Sequence, residues 1–209
     1  TINGSVYGGG NNNGSGSNNI PSTVNINILG GTFNGSVYGG SKAKGTINGS
    51  IKLNVLGGTF NDSIFGGGQG NETVVSNNID ITVGNNTIVN KNIYGGSEFG
   101  TINSSTNVTI NNGNILGSIF GGAQGDNTYA PKVLGNVKVT INDGEINNVF
   151  GANDISGTLS GKTEIYLKGG NINNVYGGGN QTSQPITNVY LQGSKVTNIF
   201  GGSNESGNV

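Results

Sequence analysis

The stretch GGTFNGSVYGGS, residues 30–41, decides how this chain is read. It returns almost unchanged as GGTFNDSIFGGG at residues 57–68, and in looser form to the end of the chain. Its core is an aliphatic residue, an aromatic residue and glycine: Val37-Tyr38-Gly39. The same core stands at Val6-Tyr7, Ile64-Phe65, Ile93-Tyr94, Ile119-Phe120, Val149-Phe150, Val175-Tyr176 and Ile199-Phe200. The steps from one aromatic to the next are 31, 27, 29, 26, 30, 26 and 24 residues. A period of this size marks a solenoid, in which each unit buries its apolar face only by stacking on its neighbours.

Outward from the motif, each unit carries an alternating run of inward candidates. These are Val24, Ile26, Ile28; Ile51, Leu53, Val55; Ile79, Ile81, Val83; Thr106, Val108, Ile110; Val137, Val139, Ile141; Thr163, Ile165, Leu167; and Thr187, Val189, Leu191. Strict alternation is strand periodicity, and no stretch has the helical period. Five residues past the last inward position comes another apolar residue: Phe33, Phe60, Ile88, Ile115, Ile146, Ile172 or Val196. The corner between them is built from Gly, Asn and Asp, such as Gly30-Gly31, Asn85-Asn86 and Asp143-Gly144, which tolerate positive φ best. Ile20, Ile47, Val75, Ile102, Val133 and Leu159 add one more apolar position upstream of every run but the last, where Ser183 stands. All the large length variation lies in the segment between the glycines and that residue, and the polar loop GNNNGSGSNN at residues 10–19 reads as the most flexible part.

The expected fold is an all-β parallel β-solenoid, or β-helix. It has about seven to eight coils of roughly 27 residues, with three or four short strands per coil. At ~4.8 Å of rise per coil, seven coils make a rod roughly 35 Å long. Asn and Thr are expected to form hydrogen-bonded ladders from coil to coil. The alignment sets Lys52 over Asp80 and Lys138 over Glu164, opposite charges in register. Residues 1–209 read as one continuous body without caps, expected to be a piece of a longer repeat protein.

Composition narrows the function. Gly supplies 42 of 209 residues, and Cys, Met, Trp and His are absent. Glycine at that level suggests disorder, but a disordered chain has no reason to keep its aliphatic residues in register. The net charge of -1, without basic or acidic blocks, points to neither nucleic acid nor an anionic membrane. No apolar run approaches the ~18 residues that span a bilayer, and no signal peptide is visible.

The pattern GGTFNGSVYGGS…GTINGSIKLNVLGGTFNDSIFGGG resembles the Gly/Asn-rich β-helix repeats of large bacterial surface and adhesin-like proteins. The resemblance implies an elongated, extracellular or cell-surface protein that serves as stalk, fibre or adhesive segment, and it brings no catalytic residues with it. The alternative is a carbohydrate-binding or carbohydrate-processing β-helix.

The strongest candidate surface is the aromatic column Tyr7, Tyr38, Phe65, Tyr94, Phe120, Phe150, Tyr176 and Phe200. Neighbours on a strand point to opposite faces, so each aromatic and its aliphatic partner are expected on different sides unless the glycines bend both inward. Facing out, the column is an apolar stripe covered by a partner coil, a neighbouring molecule or the inserted loops; it is expected to drive lateral self-association, as a trimer or fibre, or to stack host or surface glycans. Bare sheet edges at the ends offer a second, end-to-end route.

No cofactor is expected, with calcium the one candidate. Gly66–Glu72 and Gly121–Asp126 loosely resemble Gly/Asp-rich calcium turns, but Glu72, Glu98, Asp126, Asp154 and Glu205 do not repeat as such sites require. Asp143, Glu145 and Glu164 are the only close acidic set. Asp143 occupies a turn position, and with neither Arg nor His to stabilise developing charge the chain is expected not to be an enzyme. Thr82, Thr109 and Thr140 share one outward column, interrupted by Asn and Tyr in other coils.

Overall fold

The structure is a computed structural model that describes residues 1–12, 19–184 and 186–206; most of the polar loop at residues 10–19 lies outside them. The described residues form a parallel β-solenoid of about seven turns, spaced by about 27 residues, with three sheets per coil and no helix.

The alternating runs build a seven-stranded sheet: Val24–Ile28, Ile51–Val55, Ile79–Val83, Thr106–Ile110, Val137–Ile141, Thr163–Leu167 and Thr187–Leu191. The upstream apolar residues lie in a six-stranded sheet from Asn19–Ile20 to Thr158–Leu159. The corner apolar residue and the aromatic motif share an eleven-stranded sheet. All pairings are parallel and join equivalent residues of successive coils, for example Ile79↔Ile51 and Ile79↔Thr106.

The early coils carry the third sheet as two short strands, such as Thr59–Phe60 and Ile64–Phe65; later coils fuse them, as in Glu145–Phe150. Spacing explains the change. Phe60 and Ile64 are four residues apart, whereas Ile146 and Val149 are three apart. Gly113–Phe120 keeps the longer spacing inside one strand, and its register against the next coil shifts between Ile115 and Ser118. A bulge of this kind absorbs one extra residue.

The inward columns fill the axis. Ile51, Leu53, Val55, Ile79, Val83, Val137, Val139 and Ile141 are fully buried, and Phe33 stacks on Phe60 within the same core. Where the first inward position is threonine, its hydroxyl finds a partner inside the coil. Thr106 Oγ1 donates to the Gly121 carbonyl at 2.7 Å and Thr163 Oγ1 to that of Gly177 at 2.8 Å. A buried hydroxyl without such a bond would be costly.

One inward assignment is corrected. Ile88 is exposed and Val89 takes its place, aligned with Phe60 below and Ile115 above. Asn85 and Asn86 both adopt positive φ, 52° and 57°, where the neighbouring coil has Gly57-Gly58. This turn places one more residue before the strand, and a one-residue slip reverses which side chains face in.

The charge register is as aligned, Lys52↔Asp80 and Lys138↔Glu164, but the ion pairs differ. Asp80 accepts from Asn107 Nδ2, and Glu164 pairs with Lys162 at 2.9 Å. Exposed pairs of this kind contribute little, so side-chain reach decides between them. The ladders form along the outside: Asn90 donates to Asn61, Asn61 to Asn34, and Asn34 to Asn3, at 2.7–2.9 Å.

Candidate functional site

The aromatic motif places its two side chains on opposite sides. Val37, Ile64, Ile93, Ile119, Val149 and Val175 join the main core. Tyr38, Phe65, Tyr94, Phe120 and Phe150 form a second buried cluster, with Tyr7 and Tyr176 packed against it. Of the sequence expectations, an outward column covered by the inserted segments describes this arrangement, and glycines bending both side chains into the axis do not. The rings do face away from the axis, yet the chain itself covers the five central ones, leaving them at most 4% exposed. Phe200, in the last coil, is 46% exposed. Along the central coils the column is therefore an internal spine, and a stripe open to a lateral partner is not what those coils present.

All eight rings stack in one file. Centroids of successive rings are 4.6–5.0 Å apart and their planes meet at 3–14°. The coil rise sets this spacing, and near-parallel rings at such a centroid distance are offset stacks, worth ~0.5–1.5 kcal/mol per contact beyond area burial.

The glycine after each aromatic permits the close approach. A Cβ on Gly39 would lie 2.2 Å from the Gly66 carbonyl oxygen, and one on Gly66 would lie 2.3 Å from that of Gly95. The requirement is space between coils, since neither glycine has positive φ.

Beyond the glycines the chain turns back over the rings. Four residues after each aromatic it places Asn11, Lys42, Gln69, Glu98, Gln124, Asp154, Asn180 or Asn204. Three of these accept hydrogen bonds from tyrosines two coils earlier: Tyr7 to Gln69 Oε1 at 2.8 Å, Tyr38 to Glu98 Oε2 at 2.7 Å, and Tyr94 to Asp154 Oδ2 at 2.9 Å. Where the ring is Phe65, Phe120 or Phe150, the residue two coils on is an amide: Gln124, Asn180 or Asn204. Both acids in the column serve a tyrosine. The sequence carried this signal, but only when the offset of four residues is combined with a step of two coils.

Burial sets the protonation behaviour. Desolvation raises the carboxyls of Glu98 and Asp154 above their ordinary range, against the opposing effect of their hydrogen-bond donors. Burial, followed by the hydrogen bond and charge of the facing carboxylate, pushes the Tyr38 and Tyr94 phenols well up. An acid whose folded pKa is raised binds its proton more tightly when folded. Its contribution to stability is therefore present below the unfolded pKa and lost as pH climbs through the folded one. The melting temperature is expected to rise as pH is lowered from 7 to about 5, and the Glu98→Gln/Asp154→Asn variant should lose that rise. Thermal denaturation across this range, followed by circular dichroism, checks it; a melting temperature that falls on acidification contradicts it.

Beside the spine lies a polar slot of about 390 Å³, lined by Ser36, Tyr38, Ser63, Gln69, Glu98 and Gln124, among others. The ion pair Asp62–Lys91, at 3.1 Å, also borders it. In later coils the serine column becomes Asn148, Asn174 and Asn198, which bond to one another at 2.9 Å.

The calcium candidates are individually engaged or exposed. Asp126 accepts the amides of Thr128 and Tyr129, Glu205 accepts from Gln181, and Glu72 is exposed. Among the described residues no three acidic, His or Cys side chains are placed to hold a metal ion together. The acidic set is not one site either. Asp143 accepts its neighbour's amide, Glu145 accepts from Asn171, and Glu164 belongs to a different sheet. Comparison with protein-family models, curated proteins and solved structures finds no match for this chain.

Proposed function

We propose that this chain is a structural, adhesive repeat segment of an extracellular bacterial surface or fibre protein, non-catalytic and self-associating. The observation that carries the reading is the direction of its interactions. The aromatic file, the Asn ladders and the tyrosine–acceptor bonds all run from coil to coil along the axis. Such an arrangement stiffens a rod. It also leaves Asp154, Glu145 and Asp143 engaged with Tyr, Asn and backbone partners.

With the central rings covered, end-to-end contact is the mode of self-association proposed for the isolated segment, whatever precedes or follows it in a longer chain. The last coil exposes Tyr190, Leu191, Ile199 and Phe200, each more than 40% accessible, along parallel strands whose outer edge is unpaired among the described residues. Such an edge accepts a further coil or the first coil of a second copy.

Light scattering combined with small-angle X-ray scattering tests this. Mass and maximum dimension are expected to rise together with concentration at constant cross-section, and Leu191→Lys/Ile199→Lys should hold the protein at one mass. A strictly monomeric wild-type chain, or growth in cross-section without length, would contradict end-to-end assembly.

A further inference from the structure

Twelve of the fourteen aromatics stack on an equivalent ring of a neighbouring coil, in the spine, the Phe33–Phe60 pair or the outward Tyr166–Tyr190 pair. Phe99 and Tyr129 break the rule. Their centroids are 5.4 Å apart, their planes are tilted by 49°, and Tyr129 is 41% exposed. Both stand on the variable segments after the glycines, so nothing in the coil repeat requires them.

They form one wall of a surface cleft of about 410 Å³, with Lys42, Gln69, Asn71 and Glu72 on the other sides. The floor is open because the two coils before Phe99 carry Ala43 and Gly70 in the equivalent position. That floor is fixed. The Gly70 amide donates to the Lys42 carbonyl at 2.7 Å, and a Cβ on Gly70 would lie 2.0 Å from the Ala43 carbonyl oxygen. Tyr129 is held as well, since Asp126 Oδ1 accepts its amide at 2.6 Å and its carbonyl accepts from Ser156 Oγ at 3.0 Å.

The side chains of Lys42, Asn71 and Glu72 border the cleft and have no hydrogen bond or ion pair within the described residues, so their polar atoms are open to a ligand. A pre-formed cleft with an exposed aromatic wall and a few converging unengaged polar groups is the general form of a small-ligand site. One cation and one anion leave it neutral overall, which disfavours an acidic polymer.

We propose that this cleft is a binding site for a neutral pyranose sugar. The apolar C–H face of the ring lies on Tyr129 and Phe99, and its hydroxyls bond to Asn71, Glu72 and Lys42. This function is separate from the scaffold role and does not depend on self-association.

The test is titration of the isotope-labelled chain with neutral glucose, mannose, galactose and N-acetylglucosamine tetrasaccharides, read by NMR shifts. At least one probe is expected to give saturable shifts at Phe99, Tyr129 and Asn71 below about 10 mM. Tyr129→Ala should weaken that binding by about tenfold or more, while Tyr129→Phe retains most of it. Tyr129 lies on an exposed loop, and an unchanged thermal melt confirms that each variant is folded. Absence of saturable shifts with all four probes, shifts confined to other surfaces, or undiminished binding by Tyr129→Ala overturns the proposal. Assembly by light scattering reads the scaffold role separately.

Discussion

Gly66→Ala is expected to destabilise the solenoid by about 3 kcal/mol or more. The new methyl would lie 2.3 Å from the Gly95 carbonyl oxygen and 2.5 Å from Ile79 Cγ2, one a backbone atom of the next coil and the other part of the core. Neither withdraws without moving the next coil, because interiors are close-packed and the backbone oxygen is fixed by the sheet. Coils on the two sides of the lesion are coupled only through their shared interface, so the transition should broaden or divide in two. Gly30→Ala is the control: no atom lies within 4 Å of its added Cβ. Urea denaturation followed by far-UV circular dichroism compares them. Equal midpoints would mean that the coils are not packed at this separation.

Tyr94→Ala should cost about 3–5 kcal/mol, the range for removing a large buried aromatic. Tyr94 is fully buried between Phe65 and Phe120, and its hydroxyl holds Asp154, which is 8% exposed. Tyr94→Phe keeps both ring contacts and removes the hydroxyl, which donates to Asp154 and accepts from Asn92 Nδ2 at 2.8 Å, for about 1–3 kcal/mol. Phe200→Ala should cost much less, since that ring is 46% exposed and stacks on a single neighbour. Tyr94→Phe combined with Asp154→Asn should depart from additivity, because the two side chains share one bond. Chemical denaturation of the set gives the order directly. A Phe200→Ala loss as large as that of Tyr94→Ala would remove the basis for a covered spine.

Much of this architecture is written in the sequence. Alternation at Ile51, Leu53 and Val55 fixes which side chains face in, and the repeat aligns Lys52 with Asp80 because each strand has the same length. Inference failed where local geometry overrode counting. The consecutive left-handed residues Asn85 and Asn86 moved the inward role from Ile88 to Val89. The orientation of the aromatic column was legible only in part. Alternation sets Phe65 opposite Ile64, but what lies over the ring depends on how the segment after Gly66-Gly67 folds back. The acceptor column was hidden for a related reason. Tyr38 reaches Glu98 across two coils, so a comparison restricted to adjacent coils passes over it.

The most direct test is the spacing of coils measured in solution. Asn25, Lys138 and Asn188 lie in one outward column of the seven-stranded sheet, and the chain has no native cysteine to remove. Spin labels on cysteines introduced at Asn25 and Lys138 span four coil steps, and labels at Asn25 and Asn188 span six. Dipolar spectroscopy should give mean separations of about 19 Å and about 29 Å, in proportion to coil number at ~4.8 Å per step. Separations that do not scale with the number of coils between the labels would contradict the solenoid on which the spine, the ladders and the cleft depend.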